Sequence, residues 1–197
     1  IEHHPERANR LLDELGLGGR DVDGMRTFPD GSSMTFYLTF TSFNGIGVGQ
    51  FVVDDWSRVG VRVVLREQSR TLFYTKKNAA DFDMLVWSSE SDFFPLLEPR
   101  MFAPPDTEAF YATVWGRWFS LGGFYGSPAA SNVDNARGPP PDHPMYAAYR
   151  AYVEARALPT LDAQVARFQE ALEIAADNLW TINIAESPPF LGVDSMT

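Results

Sequence analysis

Residues 81–95 read DFDMLVWSSESDFFP, and this stretch decides the fold class of the chain. Its apolar run predicts an interior β-strand that ends at Trp87. Two acids, Glu90 and Asp92, follow at the point where the strand meets a loop. In open α/β sheets, ligands bind just beyond the carboxyl ends of the strands. The stretch therefore predicts an α/β fold and marks a candidate ligand site.

The residues before this stretch predict two further strands that alternate with two helices. The order β-α-β-α-β with short connections predicts parallel strands, right-handed crossovers and helices packed on the sheet. The first strand alternates apolar and polar side chains, so we expect it to be half-buried. The predicted segments are a strand at 34–41, a helix at 48–59 stopped by Gly60, a strand at 61–65, a short helix capped by Ser69 that carries Leu72, Phe73 and Lys76, and a strand at 82–87.

The rest of the chain predicts four more helices around an irregular segment. Residues 88–143 combine many Pro, Gly and aromatic residues with weak periodicity, and such an excursion is usually functional or disordered. This one is too aromatic for disorder. We expect residues 1–197 to form one domain that includes the excursion. The further predictions are a helix at 5–15 with the stripe Leu11, Leu12 and Leu15, a helix within 108–119, a helix opened by Pro144, a helix capped by Thr160 with the stripe Leu161, Val165, Phe168, Leu172 and Leu179, and a strand at 181–186.

Composition narrows the class of function. The 197 residues carry a formal net charge of −10, and no cluster of Lys and Arg suits a nucleic acid. The chain has no cysteine, which excludes disulfides, thiolate metal sites and a cysteine nucleophile. No apolar run approaches the length of a membrane span. These totals favour a globular protein with a neutral or cationic partner.

The sequence offers no convincing catalytic group. Its three histidines are His3 and His4 near the start and His143 between prolines, and neither setting suits a buried general base. The nucleophile-elbow, zinc-protease and phosphate-loop motifs are absent. Glu90 and Asp92 could act as a pair of carboxylates in a glycosidase. Two acids in a loop are more often solvated or paired with ligand, so we predict no catalytic residue.

No metal or cofactor is predicted. The acidic turn DVDG at 21–24, with Asp30, resembles a calcium loop, but Met25 and Ser32 stand where further ligands are required. A polar turn with side-chain-to-backbone hydrogen bonds is the better interpretation. Adjacent histidines at 3–4 are more often exposed than ligating.

Aromatic residues near the strand end form the remaining candidate site. They could seal a small core beneath the excursion, or they could line a cleft for a peptide, a sugar or a similar organic ligand. The aromatic set is Trp87, Phe93, Phe94, Trp115, Trp118 and Phe119. The candidate ligand-binding residues are Trp87, Glu90, Asp92, Phe93, Trp115, Trp118 and, in the loop after the first strand, Asn44.

Four stretches of the chain, in order, resemble the family 5 extracellular solute-binding proteins, the dipeptide and oligopeptide-binding type that serves ABC importers. The resemblance implies one lobe, the C-terminal one, of a two-lobed protein of the periplasmic-binding-protein type II-like architecture. The stretches are PERANRLLDELGL at 5–17 with DVDGMRTFPDG at 21–31, MTFYLTFT at 34–41 with VGVRVVLRE at 59–67, ADFDMLVW at 80–87, and RFQEALEIAADNLWTINIAESPPF at 167–190.

The resemblance also implies a mode of action. Such proteins close two lobes on a ligand like a hinged trap and deliver it to a membrane permease, outside the cytoplasmic membrane. The other, N-terminal lobe would then be missing from this chain. An isolated lobe supplies half of a cleft, so we expect weak binding by it alone.

The family's peptide-binding members also indicate which acid would hold a ligand. In those members an acid shortly after the tryptophan of the third strand pairs with the amino terminus of the peptide. The match falls on Trp87 and Glu90. The family pattern more often has Asp with Gly and Asn nearby, whereas this chain reads SSESDFFP, so Asp92 could take the role instead. A peptide or amine-bearing ligand is slightly favoured by the two acids. An oligosaccharide, an opine or a nickel complex remains open, as does a small hydrolase.

Overall fold

A computed structural model of the chain describes residues 3–44, 46–87 and 95–183. Helices and strands alternate in the first half, and helices alone follow. The helices are α1 (Pro5–Glu14), α2 (Ile46–Arg58), α3 (Arg70–Ala79), α4 (Thr113–Ser120), α5 (Met145–Ala157) and α6 (Leu161–Asn178), and the strands are β1 (Thr35–Phe40), β2 (Arg62–Glu67) and β3 (Met84–Leu85). Three short 3-10 helices lie at Pro99–Met101, Gly123–Tyr125 and Pro128–Ser131.

The three strands form a parallel sheet in the order β2-β1-β3, which confirms the predicted β-α-β-α-β core. The strand β3 is shorter than the predicted 82–87. The carboxylate of Asp83 accepts a hydrogen bond from the backbone N–H of Tyr37 at 2.9 Å and so replaces a ladder contact at the start of the strand. Pairing resumes further along, because Val86 N–H donates to Thr39 O at 2.9 Å.

The prediction that the first strand is half-buried is wrong for its carboxyl half. Leu38, Thr39 and Phe40 are all buried, and Thr41 after them is buried as well. β1 is the central strand, so neighbours cover it on both edges. On one face Leu38 and Phe40 pack with α2 and β2 residues in the sheet core, which is also where Val63 lies.

Helix α1 confirms the predicted helix, but its apolar stripe is not buried within the described part of the chain. Leu11 is 48% exposed and Leu15 is 73% exposed. The helix is held instead by Arg26, whose guanidinium is fully buried and donates to Asn9, Asp13 and backbone carbonyls around it.

The second core lies among α4, α5 and α6, where α5 and α6 pack as a helical pair. The caps predicted for α3 and α6 are confirmed: the hydroxyls of Ser69 and Thr160 accept from Leu72 N–H and Ala163 N–H. The predicted α6 stripe is wrong in part. Phe168 is buried as predicted, but the flanking positions of the stripe are exposed, and small residues take their place because they allow close approach of α5. The exposed positions are Leu161, Val165 and Leu179, and the small buried residues are Ala171 and Ala175.

The excursion is irregular, as predicted, but its helix begins at Thr113 rather than within 108–112. Ala112 adopts a left-handed conformation with φ of 50°, which interrupts the helix before that point. Of the predicted strand at 181–186, residues 181–183 have no strand structure and the rest lie outside the described residues. Within the described ranges, no helix has the length and apolar character required to cross a membrane.

Candidate functional site

The carboxyl ends of the three parallel strands lie at one edge of the sheet, and the predicted site residues begin there. Trp87 follows β3 by two residues. Asn44 lies in the turn after β1, where its backbone N–H donates to Thr41 O at 3.0 Å and its side-chain oxygen accepts from the Thr41 hydroxyl at 3.0 Å. The turn is therefore fixed by Thr41, and Asn44 is half-buried beside the sheet edge.

Trp87 lies at the centre of an aromatic group, which we call the Trp87 cluster and which comprises Phe43, Phe73, Tyr74, Trp87 and Phe110. The indole stacks on Phe110 with ring centres 4.8 Å apart and an angle of 16°, and on Phe73 at 5.1 Å and 30°. Tyr74 meets the indole edge-on at 5.4 Å, and Phe43 lies at 6.3 Å. Such pairs stabilise one another beyond the area they bury.

The Trp87 cluster runs from the interior to the surface. Phe73 is fully buried, whereas Phe43 is 74% exposed. The guanidinium carbon of Arg70, at the start of α3, lies 5.7 Å from the ring centres of both Tyr74 and Trp87. This edge of the sheet thus presents aromatic surface beside a cation, a combination suited to stacking on an organic ligand.

Three predicted site residues, Glu90, Asp92 and Phe93, lie outside the described residues. Phe94 of the predicted aromatic set does so too. Their roles remain predictions that rest on the sequence.

Trp115 and Trp118 lie in a different environment from Trp87. Both are on α4 and pack against the helical core. Trp115 contacts the His143 ring at 4.6 Å, and Trp118 contacts Tyr146 at 5.8 Å. Among the described residues no ring contact joins either of them to Trp87. The predicted aromatic set is thus divided between two clusters.

Sequence reasoning missed the residues that surround Trp87. The helix α3 was predicted to carry Lys76, but Lys77 is the fully buried lysine, one helical turn after the buried Phe73. The ammonium of Lys77 donates to the carbonyl oxygen of Thr107. Burial lowers the pKa of Lys77 below its usual value. The spacing of Phe73 and Lys77 at i and i+4 places them on one helix face, but Lys76 at i+3 is also a neighbour of Phe73, so the spacing did not distinguish the two lysines.

The acidic turn at 21–31 is a polar turn, as predicted. Asp21 Oδ1 accepts from the backbone N–H groups of Asp23 and Met25, both at 3.0 Å. Its other oxygen pairs with Arg62 at 3.0 Å. Within residues 3–44, 46–87 and 95–183, no three or more acids and histidines meet in an arrangement that could hold a metal ion.

A polar cleft of about 320 Å³ lies on the sheet face near the start of β3. Each charged side chain that lines this cleft contacts another side chain or a backbone group. Arg66 lies 3.2 Å above the Tyr37 ring, Lys76 pairs with Asp81 at 3.3 Å, and Asp83 accepts from Tyr37 N–H. Because these charged groups already have partners, we do not assign a ligand site to this cleft.

No family model matches the chain, and no curated protein sequence does either. Solved structures do. The chain is 30% identical to an oligopeptide-binding protein, OppA, with a TM-score of 0.76 over 91% of the chain and 29% of that protein. The periplasmic binding protein MelB from Agrobacterium fabrum, solved with stachyose, shares 18% identity and a TM-score of 0.68 over 92% of the chain and 25% of MelB. NikA from Brucella suis, solved with Fe(III)-EDTA, shares 17% identity and a TM-score of 0.61 over 90% of the chain and 31% of NikA.

These likenesses cover the chain almost completely but only part of each neighbour. The chain spans less than a third of the length of the solved proteins it matches. The two neighbours below 20% identity support the fold, which is that of a type II-like periplasmic binding protein. OppA adds similarity of sequence to similarity of fold. The solved neighbours are family 5 extracellular solute-binding proteins, and the chain has the fold of part of one lobe of such a protein.

Proposed function

We propose that the chain is one domain, residues 1–197, of the substrate-binding component of an ABC importer, which captures a peptide or similar small organic solute between two lobes. The observation that carries this proposal is the Trp87 cluster at the carboxyl edge of a parallel sheet, in a chain 30% identical to an oligopeptide-binding protein. The protein would act outside the cytoplasmic membrane and deliver its solute to a membrane permease. A second, N-terminal lobe would supply the opposite wall of the cleft.

The proposed ligand site centres on Trp87, Glu90 and Asp92. Glu90 follows Trp87 by only three residues in the sequence, which motivates its assignment to the same site. A carboxylate beside an aromatic face suits an ammonium group. Phe93 and Asn44 would complete this wall of the cleft.

In this proposal Trp115 and Trp118 have a structural role. Their packing against His143 and Tyr146 favours a role behind the cleft wall, in the helical core, rather than direct contact with ligand.

The ligand class has one serious alternative. Stacked, partly exposed aromatic rings also suit a sugar ring, and the neighbour MelB was solved with an oligosaccharide. A hydrolase that uses Glu90 and Asp92 is less well supported, since the neighbours are binding proteins.

Calorimetry on the full-length protein tests the proposal with three probes: trialanine, N-acetyl-trialanine and stachyose. We expect trialanine to bind and the acetylated peptide to bind at least about tenfold more weakly, because acetylation removes the ammonium charge. Glu90→Gln and Asp92→Asn identify the acid, and Trp87→Ala should weaken every ligand. Binding of stachyose alone would select the oligosaccharide alternative. Hydrolysis of a glycoside or ester, lost in Glu90→Gln, would refute a function limited to binding.

A further inference from the structure

Lys77 carries a buried charge in an unusual setting. Its side chain is fully buried, and its ammonium donates to Thr107 O. The ammonium nitrogen lies 5.0 Å from the ring centre of Tyr74 and 4.9 Å from that of Phe110. Among the described residues it forms no ion pair with a carboxylate. Burial of an ammonium group destabilises a protein unless its contacts offset the loss of hydration. We therefore expect these contacts to have a structural role.

The same residue is attached to the excursion a second time. The hydroxyl of Thr113, at the start of α4, donates to the backbone carbonyl of Lys77 at 3.0 Å, and this contact is buried. Thr107 and Thr113 lie three residues before and three residues after Phe110. Lys77 therefore holds the segment around Phe110 on both sides of that ring.

Both rings beside the ammonium also contact the indole of Trp87. Phe110 stacks on it at 4.8 Å, and Tyr74 meets it edge-on at 5.4 Å. The ammonium therefore contacts the same two rings that contact the indole of Trp87.

The segment that carries Phe110 has little freedom to shift. Ala109 is fully buried. A Cβ atom at Gly116 would lie only 2.0 Å from the carbonyl oxygen of Asp106, so the loop at 106 and helix α4 are already in close contact. A displacement of Thr107 must therefore move Phe110 as well, because close-packed groups transmit strain.

We propose that Lys77 is a positioning residue, which holds Phe110 and through it fixes the orientation of Trp87. The effect on ligand affinity rests on the proposed function, whereas the effect on Trp87 itself does not. Methionine has a similar length and would fill a similar volume, but it would leave Thr107 O without its ammonium donor in a partly buried site. Lys77→Met therefore removes the attachment to Thr107, whereas it retains most of the packing and the backbone acceptor for Thr113.

Titration provides a second test that requires no substitution. Burial lowers the pKa of Lys77, and the charges of Glu108 and Asp106 partly oppose that effect. Lys77 should therefore lose its proton below the usual lysine pKa of 10.5, and this loss should change the environment of Trp87. The charged and titratable groups that face Lys77 are Tyr74 on α3, Arg100, Asp106 and Glu108 in the excursion, and Arg117 on α4.

The experiment uses the full-length protein labelled with 5-fluorotryptophan and observed by fluorine NMR. Trp87→Phe assigns the Trp87 resonance. We expect Lys77→Met to shift or broaden that resonance and to leave that of Trp56, on α2, unchanged. The matched control is Lys76→Met, since Lys76 pairs with Asp81 on the polar cleft rather than with the excursion. In the unsubstituted protein the Trp87 resonance should titrate below pH 10.5, the usual pKa of a lysine, and Lys77→Met should abolish that step although Tyr74 remains.

Binding of trialanine gives the functional readout. We expect Lys77→Met to raise the Kd about tenfold or more and Lys76→Met to change it less than about twofold. In a double-variant cycle Lys77→Met should add little to Phe110→Leu, because both act through one ring. An unchanged Trp87 resonance in folded Lys77→Met would overturn the proposal. If Lys77→Met does not fold, the titration of the unsubstituted protein decides. A chemical shift of the Trp87 resonance that stays constant between about pH 7 and the usual lysine pKa of 10.5 would overturn the proposal. If trialanine does not bind the unsubstituted protein, the proposed function fails on that ligand, while the NMR result still decides the role of Lys77.

Discussion

The rings of Trp87 and Phe110 lie nearly parallel, with centres 4.8 Å apart, although one follows β3 and the other belongs to the excursion. This stack joins the sheet to the irregular segment. Phe73 also stacks on the indole, with ring centres 5.1 Å apart, and its ring lies 6.2 Å from that of Phe110. The conformation of the excursion and the orientation of the proposed cleft wall are therefore linked through one aromatic contact.

Phe110→Ala should destabilise the protein by about 2–4 kcal/mol, because it removes a half-buried ring and leaves a cavity beside Trp87. Urea unfolding, with the free energy extrapolated to water, measures the loss. Tyr125→Ala is the control, since Tyr125 is 67% exposed, and it should cost less than about 0.5 kcal/mol. Equal losses in the two variants would contradict a structural role for the Trp87–Phe110 stack.

Arg26→Met should destabilise the protein by about 3–5 kcal/mol, because the buried guanidinium uses all its N–H groups on α1 and its surroundings. It donates to Val59 O at 2.7 Å, to Leu17 O at 2.5 Å and to Asp13 at 2.7 Å, as well as to Asn9. Hydrogen exchange should show the loss first in α1.

Asp13→Asn is the matched control for Arg26. Asp13 is 58% exposed, so its ion pair is screened by water, and the substitution should cost no more than about 1 kcal/mol. A loss as large as that of Arg26→Met would mean that the ion pair, rather than the set of carbonyl contacts, attaches α1.

Gly116→Ala should destabilise the protein or displace the excursion, because the new methyl group would meet the backbone carbonyl of Asp106 at 2.0 Å. Backbone at both sides of the contact cannot yield as a flexible side chain would. Gly47→Ala is the control within a helix, since a methyl group there would meet no other described part of the chain within 4 Å. It should raise stability by up to about 1 kcal/mol through helix propensity. Thermal unfolding of the two variants should therefore change in opposite directions.

The free energy of unfolding should fall as pH rises above about 10. Burial raises the pKa of both Tyr111 and Tyr149 well above their usual 10.0. Below that pH both tyrosines are neutral in the folded and unfolded states. Above it they ionise only when the chain unfolds, so each removes about 1.4 kcal/mol of stability per pH unit. Lys77 acts in the opposite direction at lower pH, since its lowered pKa means that the unfolded state binds more protons.

Two phenylalanine substitutions separate the tyrosines. Tyr149 donates to Pro104 O at 2.8 Å, so Tyr149→Phe should cost about 1–3 kcal/mol at neutral pH. The Tyr111 hydroxyl has no hydrogen-bond partner among the described residues, so Tyr111→Phe should cost little at neutral pH. Each substitution should reduce the alkaline slope, and a slope that neither one changes would contradict its assignment to these phenols.

Much of the fold was predictable from local patterns. The alternating residues 34–41, the Ser69 and Thr160 caps and the glycine stop at Gly60 each depend on nearby sequence, and the structure confirms them. Gly60 adopts φ of +81°, a conformation that glycine accepts readily. The position of Trp87 at a strand end followed from the same patterns.

Burial was predicted less well, because it depends on packing against segments that are distant in the sequence. The predicted α6 stripe included Leu161 and Val165, which are exposed, whereas the small residue Ala171 is buried in the core that α6 shares with α5. A pattern of apolar residues shows which faces can be buried, but only the neighbouring helix decides which one is.

The sequence by itself determined the order of helices and strands and the place of Trp87, because propensity, periodicity and capping act over a few residues. Only the tertiary structure decided that Phe110 stacks on Trp87, that Trp118 joins the helical core instead, and that Lys77 rather than Lys76 is buried behind the stack. Those outcomes depend on contacts between segments distant in sequence, and close packing, which selects one arrangement among many, leaves no local signature.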